Sequence, residues 1–509
     1  MNEKSKRLVK NTFFLYVRMF FLMFISFFST RIVLNALGAS DFGIYNVVCG
    51  FVAMLTFLSG ALGNATQRFL SYELEKKNLD QLTNVFFQIK RMYFALSLFV
   101  LLLGETIGLW LVNAKLNIPL DRMSAVCVIY QCSIISTILT LLSVPYNALI
   151  IAHENMKIFA VVGMFEGGAK LAIAFVLIWY AKDRLVLYGI ALAFVAVVIR
   201  FFYYYYCKRF YLETRTHDVS YDFNKIKEIG TFAGWSLFGS ISTMANSQGI
   251  NMIINIFFGT IVNAARGISY QVDSAVRSFI SNFQTALNPQ IVKAYSSGNI
   301  EEMHSLIFLG SKMSFFIMFV LTIPIIVNLD YILPLWLANV PDCTKIFTQL
   351  ILINSLVVTF SGPLSIAAQA TGKIRGYQMF MGSFLLLNLP IAYILFHIGY
   401  PAYYSILISI IIESFLLFMR LLFLKRMIKL QISVYFGKVL CPSLSCVLLC
   451  VPLCIFFSDC LKLQTFCNFV VSFTSSFLIS CFIVFFVGLS KNQQFRLLDF
   501  IKLRLRKRG

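Results

Sequence analysis

Apolar residues run in long blocks separated by short polar clusters, and the alternation covers the whole chain. Blocks such as 94–103, 171–180 and 477–489 carry no charge. A helix needs about 20 mostly apolar residues to cross the hydrocarbon core of a bilayer. Cutting at the polar clusters yields fourteen such spans, near residues 10–36, 42–66, 92–112, 123–148, 157–180, 186–206, 229–257, 261–286, 305–329, 346–369, 377–398, 402–424, 434–457 and 466–489. The pattern predicts an all-α polytopic membrane protein.

Composition narrows the class. Of 509 residues 59% are hydrophobic and 13% charged, with a mean hydropathy of +0.80. A water-soluble surface requires about 25% charged residues. A soluble enzyme, a secreted disulfide scaffold and a disordered chain are excluded. The 12 Cys form no C-x-x-C pair and no Cys/His cluster. Cys446, Cys450 and Cys454 recur at helical spacing inside an apolar block, so they read as small buried hydrophobes, and no metal is expected. The first ten residues, followed by an apolar stretch too long for a signal core, read as an uncleaved N-terminus.

The net charge of +21 is informative by position. Of 43 basic residues, 31 fall on the side of the two chain ends and six on the other, so both termini are expected in the cytoplasm. The remaining six, Arg18, Arg31, Lys170, Arg266, Arg277 and Lys312, fall inside spans. Nucleic acid is not an expected partner. External loops are short, which leaves no room for an outer catalytic domain.

The halves match at an offset near 220 residues. Gly38 and Asn78-Leu79-Asp80 correspond to Gly259 and Asn299-Ile300-Glu301. Ser143, Pro145, Ala152 and Lys157 correspond to Ser361, Pro363, Ala370 and Arg375. Six spans per repeat is even, so the two bundles insert the same way round. The expected organisation is a six-helix lobe (1–206), a linker (207–228), a second six-helix lobe (229–425), two further helices (426–490) and a basic tail (491–509).

A charge at mid-bilayer costs at least about 2.5 kcal/mol and persists where it faces protein or water. On the eighth span Arg266, Tyr270, Asp273, Arg277 and Gln284 fall on one helical stripe. Ser236, Ser240, Thr243, Ser247 and Asn251 form a stripe on the seventh. Two polar faces at membrane depth read as the wall of a water-filled cavity. Arg18 lies deep in the first span and Arg31 near its outer end. Glu166 and Lys170 are spaced to neutralise each other, and Lys312 is close enough to a boundary to snorkel. Glu105 and Glu413 have no evident local partner and are candidate proton or Na⁺ sites or partners for a distant arginine. Arginines 18, 31, 266 and 277 exceed the remaining acids, and the guanidinium fork suits phosphate, so the cavity is expected to take an anion.

Three motifs carry a family resemblance. Residues 37–50 (LGASDFGIYNVVCG), 68–82 (RFLSYELEKKNLDQL) and 369–378 (QATGKIRGYQ) resemble the polysaccharide-transporter branch of the multidrug/oligosaccharidyl-lipid/polysaccharide (MOP) exporter superfamily. The likeness extends over essentially the whole chain. It implies a MATE-like 6 + 6 + 2 fold and a flippase for undecaprenyl-diphosphate-linked oligosaccharides in a bacterial cytoplasmic membrane, serving O-antigen, capsule or exopolysaccharide synthesis. Substrate contacts would then fall on Arg18, Arg31, Arg266, Tyr270, Asp273, Arg277 and Gln284. Glu105, Glu166, Lys170 and Glu413 would be coupling or structural charges. Expected partners are the lipid-linked sugar, membrane lipids, and a polysaccharide polymerase with its assembly proteins; no cofactor is expected beyond a coupling ion, Na⁺ or H⁺. The alternatives are an ion-coupled drug or metabolite antiporter of the same fold and, from another class, a glycan polymerase or ligase. A nucleotide-driven pump is disfavoured, since no G-x-x-x-x-G-K-[ST] loop occurs.

Overall fold

A computed structural model describes residues 3–54, 57–76, 78–114, 120–180, 182–215, 222–337, 340–461, 465–491 and 493–495. No strand occurs among them. The α-helices are α1 (Glu3–Met54), α2 (Phe57–Glu75), α3 (Leu79–Leu103), α4 (Leu109–Ala114), α5 (Met123–Ala152), α6 (Met156–Trp179), α7 (Arg184–Phe210), α8 (Phe223–Ser296) and α9 (Ile300–Val327). They continue as α10 (Leu329–Trp336), α11 (Thr344–Thr359), α12 (Ser361–Ala370), α13 (Arg375–Leu386), α14 (Asn388–Ile398), α15 (Tyr404–Ile428), α16 (Ile432–Tyr435), α17 (Cys441–Leu461) and α18 (Phe466–Ile483). Among the described residues ten separate stretches are long and apolar enough to cross a bilayer. The other four expected spans lie in the two long runs, α1 continued by α2, and α8.

Both long runs reverse direction. Inside α1, Gly38 takes φ 78°, ψ 167°, a conformation that side chains resist, while nothing lies within 4 Å of where its Cβ would sit. The glycine is needed for its backbone freedom there, and it marks the turn between the first two spans. Just beyond it Asp41 binds Arg122 at the start of α5, and Arg122 also reaches Asp183, the cap of α7, at 3.2 Å. Arg184 donates to the Ala36 carbonyl at 2.9 Å. One ionic cluster thus ties three helix ends, and its hydrogen bonds to Asp41 hold the Arg122 guanidinium above its ordinary pKa range.

In α8 the Arg266 guanidinium donates to the Asn251 amide oxygen fifteen residues earlier. A straight helix would separate them by about 22 Å, far beyond the reach of an arginine, so the run folds back between them. The side chains of 255, 259–261 and 263–264, at that bend, lie outside the described residues.

The chain divides into two compact units, Leu8–Leu237 and Phe238–Gly509 together with Met1–Arg7. In the first, α5 is central and packs on α2, α3, α6 and α7, with Val126, Ile129, Tyr130, Ile134 and Leu185 at its core. In the second, α9 packs on α11, α12, α17 and α18, and α15 on α11, α12, α13 and α14. The two matched sequence patches form the same devices in each unit. Asn78 caps α3 by accepting from the Gln81 amide at 3.1 Å, and Asn299 caps α9 by accepting from the Glu302 amide at 3.1 Å. Pro145 lies within α5, which ends at buried Ala152, and Pro363 within α12, which ends at buried Ala370. The described helices are consistent with two six-span sets followed by a final pair.

Element ends differ from the hydropathy cuts. α3 begins thirteen residues before the expected span at 92, so Lys90 and Arg91 are helical. α7 runs to Phe210, past the expected span end at 206, until extended Tyr211 turns it into the short helical turn Leu212–Thr214. Charge clusters set the hydropathy boundary, whereas backbone hydrogen bonding carries the helices past it into the polar layer.

Candidate substrate site

The first unit encloses a cavity of about 460 Å³ between α1, α5, α6 and α7. Local sequence builds it. On α6, Gly163 and Gly167 are one turn apart, and a Cβ at either would collide with α1, at 2.1 Å from Arg18 Nε and 2.4 Å from Leu22 Cδ2. This small-x-x-x-small face lets the two helices approach closely, as in other membrane helix pairs. Arg18 then lies over the Phe159 ring at 4.3 Å. On α5, Ser133, Ser136, Thr137, Thr140, Ser143 and Asn147 turn one polar face into the cavity, and Tyr203 of α7 closes the opposite wall. The hydroxyls of Ser136, Thr140 and Ser143 donate to the carbonyl one turn earlier, which leaves their lone pairs toward the cavity.

Arg18 and Lys170 face this space against one carboxylate, Glu166. Lys170 is committed to Glu166 at 2.7 Å, as their spacing predicts. Arg18 is different. Among the described residues no carboxylate lies within ion-pair distance of it and no oxygen accepts from it; its Nε is buried without a partner. Glu166 and Tyr203 act on it through space alone. The cavity therefore holds one uncompensated guanidinium beside a row of hydroxyls, a chemistry suited to an anionic, hydroxyl-rich group.

The eighth-span stripe, in the second unit, is engaged otherwise. Arg266 is 3% exposed, donates to Asn251 and, at 3.3 Å, to the Tyr270 hydroxyl, and lies 4.7 Å over the Tyr270 ring. Asp273 is equally buried and pairs with Arg277 at 2.7 Å, with Ser355 of α11 hydrogen-bonded to both. Gln284 donates to Ser314 of α9 at 3.1 Å and fills the space left by Gly362 of α12. Arg266, Asp273 and Gln284 thus stitch helices together inside the unit. Tyr270 and the Arg277 side chain stay about two-fifths exposed. The Arg31 side chain lies outside the described residues.

Two acids without evident partners acquire them. Glu105 sits in a π-helical turn, Gly104–Gly108, and accepts from Gln131 of α5 at 3.2 Å; the Tyr130 hydroxyl donates to the Gly104 carbonyl that the bulge exposes, at 2.5 Å. Glu413 pairs with Arg420 at 3.2 Å, both about one-eighth exposed, and Arg420 also donates to Ser361. Seven residues are two helical turns, a spacing that a long arginine bridges, and Arg420 lies about 12 Å inside the end of α15 and not in the loop layer. Lys312 does not snorkel into water: it is 6% exposed, with its ammonium on Gln493 at 3.3 Å. Among the described residues no cluster of three or more His, Cys, Asp or Glu could hold a metal ion.

Hydropathy reasoning missed the α5 face and the α6 glycines. Both were legible as patterns, Ser/Thr/Asn at three- and four-residue steps and Gly-x-x-x-Gly.

No protein family and no curated protein matches the sequence. Solved structures do match the fold. A MATE transporter in the bent conformation aligns with a TM-score of 0.71 at 14% identity, covering 84% of this chain and 96% of that one. A multidrug-resistance MATE family transporter of the MOP superfamily, in an outward-facing conformation, aligns with a TM-score of 0.70 at 14% identity and the same coverage. So does a MOP superfamily transporter from Pyrococcus furiosus, TM-score 0.70, 14% identity, 84% and 96% covered, whose binding pocket is described as reversed in polarity. The chain shares the fold of these transporters.

Proposed function

We propose that this protein is a flippase that moves an undecaprenyl-diphosphate-linked oligosaccharide from the cytoplasmic to the outer leaflet by alternating access, for cell-surface polysaccharide synthesis. In this reading it resides in a bacterial cytoplasmic membrane with both termini inside, as the basic-residue asymmetry favours. The observation that carries it is Arg18, an arginine at membrane depth with no acid to neutralise it, in a cavity whose other polar wall is hydroxyls and amides. A cavity of about 460 Å³ is of drug-sized capacity, enough for a diphosphate and the adjoining sugar while the polyprenyl tail remains in lipid. Arg277, with its partly exposed side chain, is the second candidate contact.

The runner-up is an ion-coupled drug or metabolite antiporter, favoured by the fold likeness and by Glu166 on the cavity wall. A membrane glycan polymerase or ligase ranks below both. Reconstitution in proteoliposomes separates the readings. The flippase moves a fluorescent polyprenyl-diphosphate sugar and loses that activity in Arg18→Gln. The antiporter moves a cationic dye that the lipid-linked sugar does not compete for, and that result would replace the flippase assignment.

A further inference from the structure

A second cationic feature lies on the other side of α7 from the cavity. Ile199 and Tyr203 face the cavity, whereas Arg200, Tyr204 and Lys208 follow the adjacent stripe. There α3 and α7 flank a groove whose floor is Tyr146 of α5, 2% exposed, held edge-on between Phe86 at 5.4 Å and Tyr204 at 6.0 Å. The rims are basic. Arg200 lies 4.5 Å over the Tyr146 ring, and Lys208 donates to the Tyr204 hydroxyl at 3.3 Å. On the facing helix Lys90 sits 5.4 Å from the Phe87 ring. The groups acting electrostatically on Lys90 are Tyr204, Arg200 and Lys208, and none is an acid. Glu213, beyond the end of α7, is committed to His153 at 2.6 Å. One terminal nitrogen of Arg200, Nη1, is buried without a hydrogen-bond partner.

Three cations held in mutual reach repel one another, so the cluster costs stability unless an anion joins it. Its surroundings indicate which kind. Phe94, one turn beyond Lys90, and Phe201 and Tyr205, next to Arg200 and Tyr204, are each more than half exposed. Lys208 is about 3 Å from the end of α7 and Arg200 about 15 Å from it, which spans the depth of a headgroup and glycerol layer. We infer that the α3–α7 groove binds the phosphate of an anionic diacyl lipid, with Lys90, Arg200 and Lys208 as its ligands and the exposed aromatics against its chains. The inference is independent of what the cavity transports.

Native mass spectrometry of the purified full chain, titrated with phosphatidylglycerol, phosphatidylcholine or inorganic phosphate, tests it. Wild type retains phosphatidylglycerol in preference to phosphatidylcholine. At roughly 1 kcal/mol per basic residue near the headgroups, Lys90→Gln weakens that retention about fivefold and Lys90→Gln with Arg200→Gln about thirtyfold. Arg200→Lys, which keeps the charge, and Lys157→Gln, a basic residue elsewhere on the same side, leave it within about twofold. If the double variant does not elute as a monodisperse peak, the single Lys90→Gln carries the test. Equal retention of the two lipids by wild type, or full retention by the neutralised variants, overturns the site. Displacement of the lipid by millimolar inorganic phosphate overturns the lipid assignment in favour of a soluble anion.

Discussion

Arg18 and Arg266 are both membrane-depth arginines with no acid partner among the described residues, yet their surroundings give them opposite roles. Arg266 enters a fold-back of α8 where Asn251 and the Tyr270 hydroxyl accept from its two terminal nitrogens, so only its Nε is left without a partner. Arg18 faces a helix that offers a glycine and a phenylalanine, and neither accepts a hydrogen bond. Its binding capacity is left over. An intramembrane charge is thus a functional candidate according to the acceptors around it, because a buried donor left unpaired costs more than a made bond returns.

Replacing each arginine by glutamine gives the largest expected contrast. Arg18→Gln should lower transport of the lipid-linked sugar at least thirtyfold or so, the effect of truncating one member of a desolvated charge contact, with little change in thermal stability. Arg266→Gln should do the reverse, lowering the unfolding temperature in detergent while transport per folded molecule stays within a few-fold. If both abolish transport equally at unchanged stability, the contrast fails and the eighth-span stripe joins the substrate path.

The next largest effect concerns the compensated charges of the second unit. Glu413→Gln leaves Arg420 buried without its carboxylate and should destabilise the protein by about 3 kcal/mol, read as an earlier transition in chemical or thermal unfolding. An unchanged transition would mean that Ser361 suffices to hold Arg420. Gly163→Ala comes third. Its methyl occupies the position of the Arg18 guanidinium, so it should cost about 1–3 kcal/mol of packing and reduce transport about tenfold by displacing Arg18. In the Arg18→Gln background the same alanine should have no further effect on transport; additive losses would show that the glycine acts on helix packing alone. The smallest effect is expected at the ionic cluster of Asp41, Arg122 and Asp183. These side chains are 16–36% exposed, so Arg122→Gln should cost about 1 kcal/mol after solvent screening, seen as a small decrease in unfolding temperature that added salt reproduces in wild type.

Much of the fold was legible because membrane insertion writes itself into the sequence. The bilayer sets the length of each apolar block, and backbone groups in lipid must be satisfied within a helix. The repeat was legible for a similar reason: a cap such as Asn78 or Asn299 and a proline such as Pro145 or Pro363 are local devices whose residue type follows from the backbone. The site was only partly legible. Glu166 and Lys170 paired as spacing required, since one turn of a helix brings them together. The Glu413–Arg420 and Glu105–Gln131 contacts escaped because one spans two turns and the other two helices. The face of α5 escaped because Ser and Thr are tolerated in membrane helices, where they bond to their own backbone, so a hydroxyl stripe stands out less than a charge.

Hydropathy and charge along the chain are enough to predict about fourteen membrane spans, in two matched sets of six and a final pair, with more basic than acidic residues inside them. Periodicity and charge counting suffice for that, because each span meets the lipid on its own. Which arginine is left uncompensated is settled by packing between helices. That depends on which residues of other helices come within 3 Å of each guanidinium, and helix periodicity reports the direction of a side chain but not what stands opposite it.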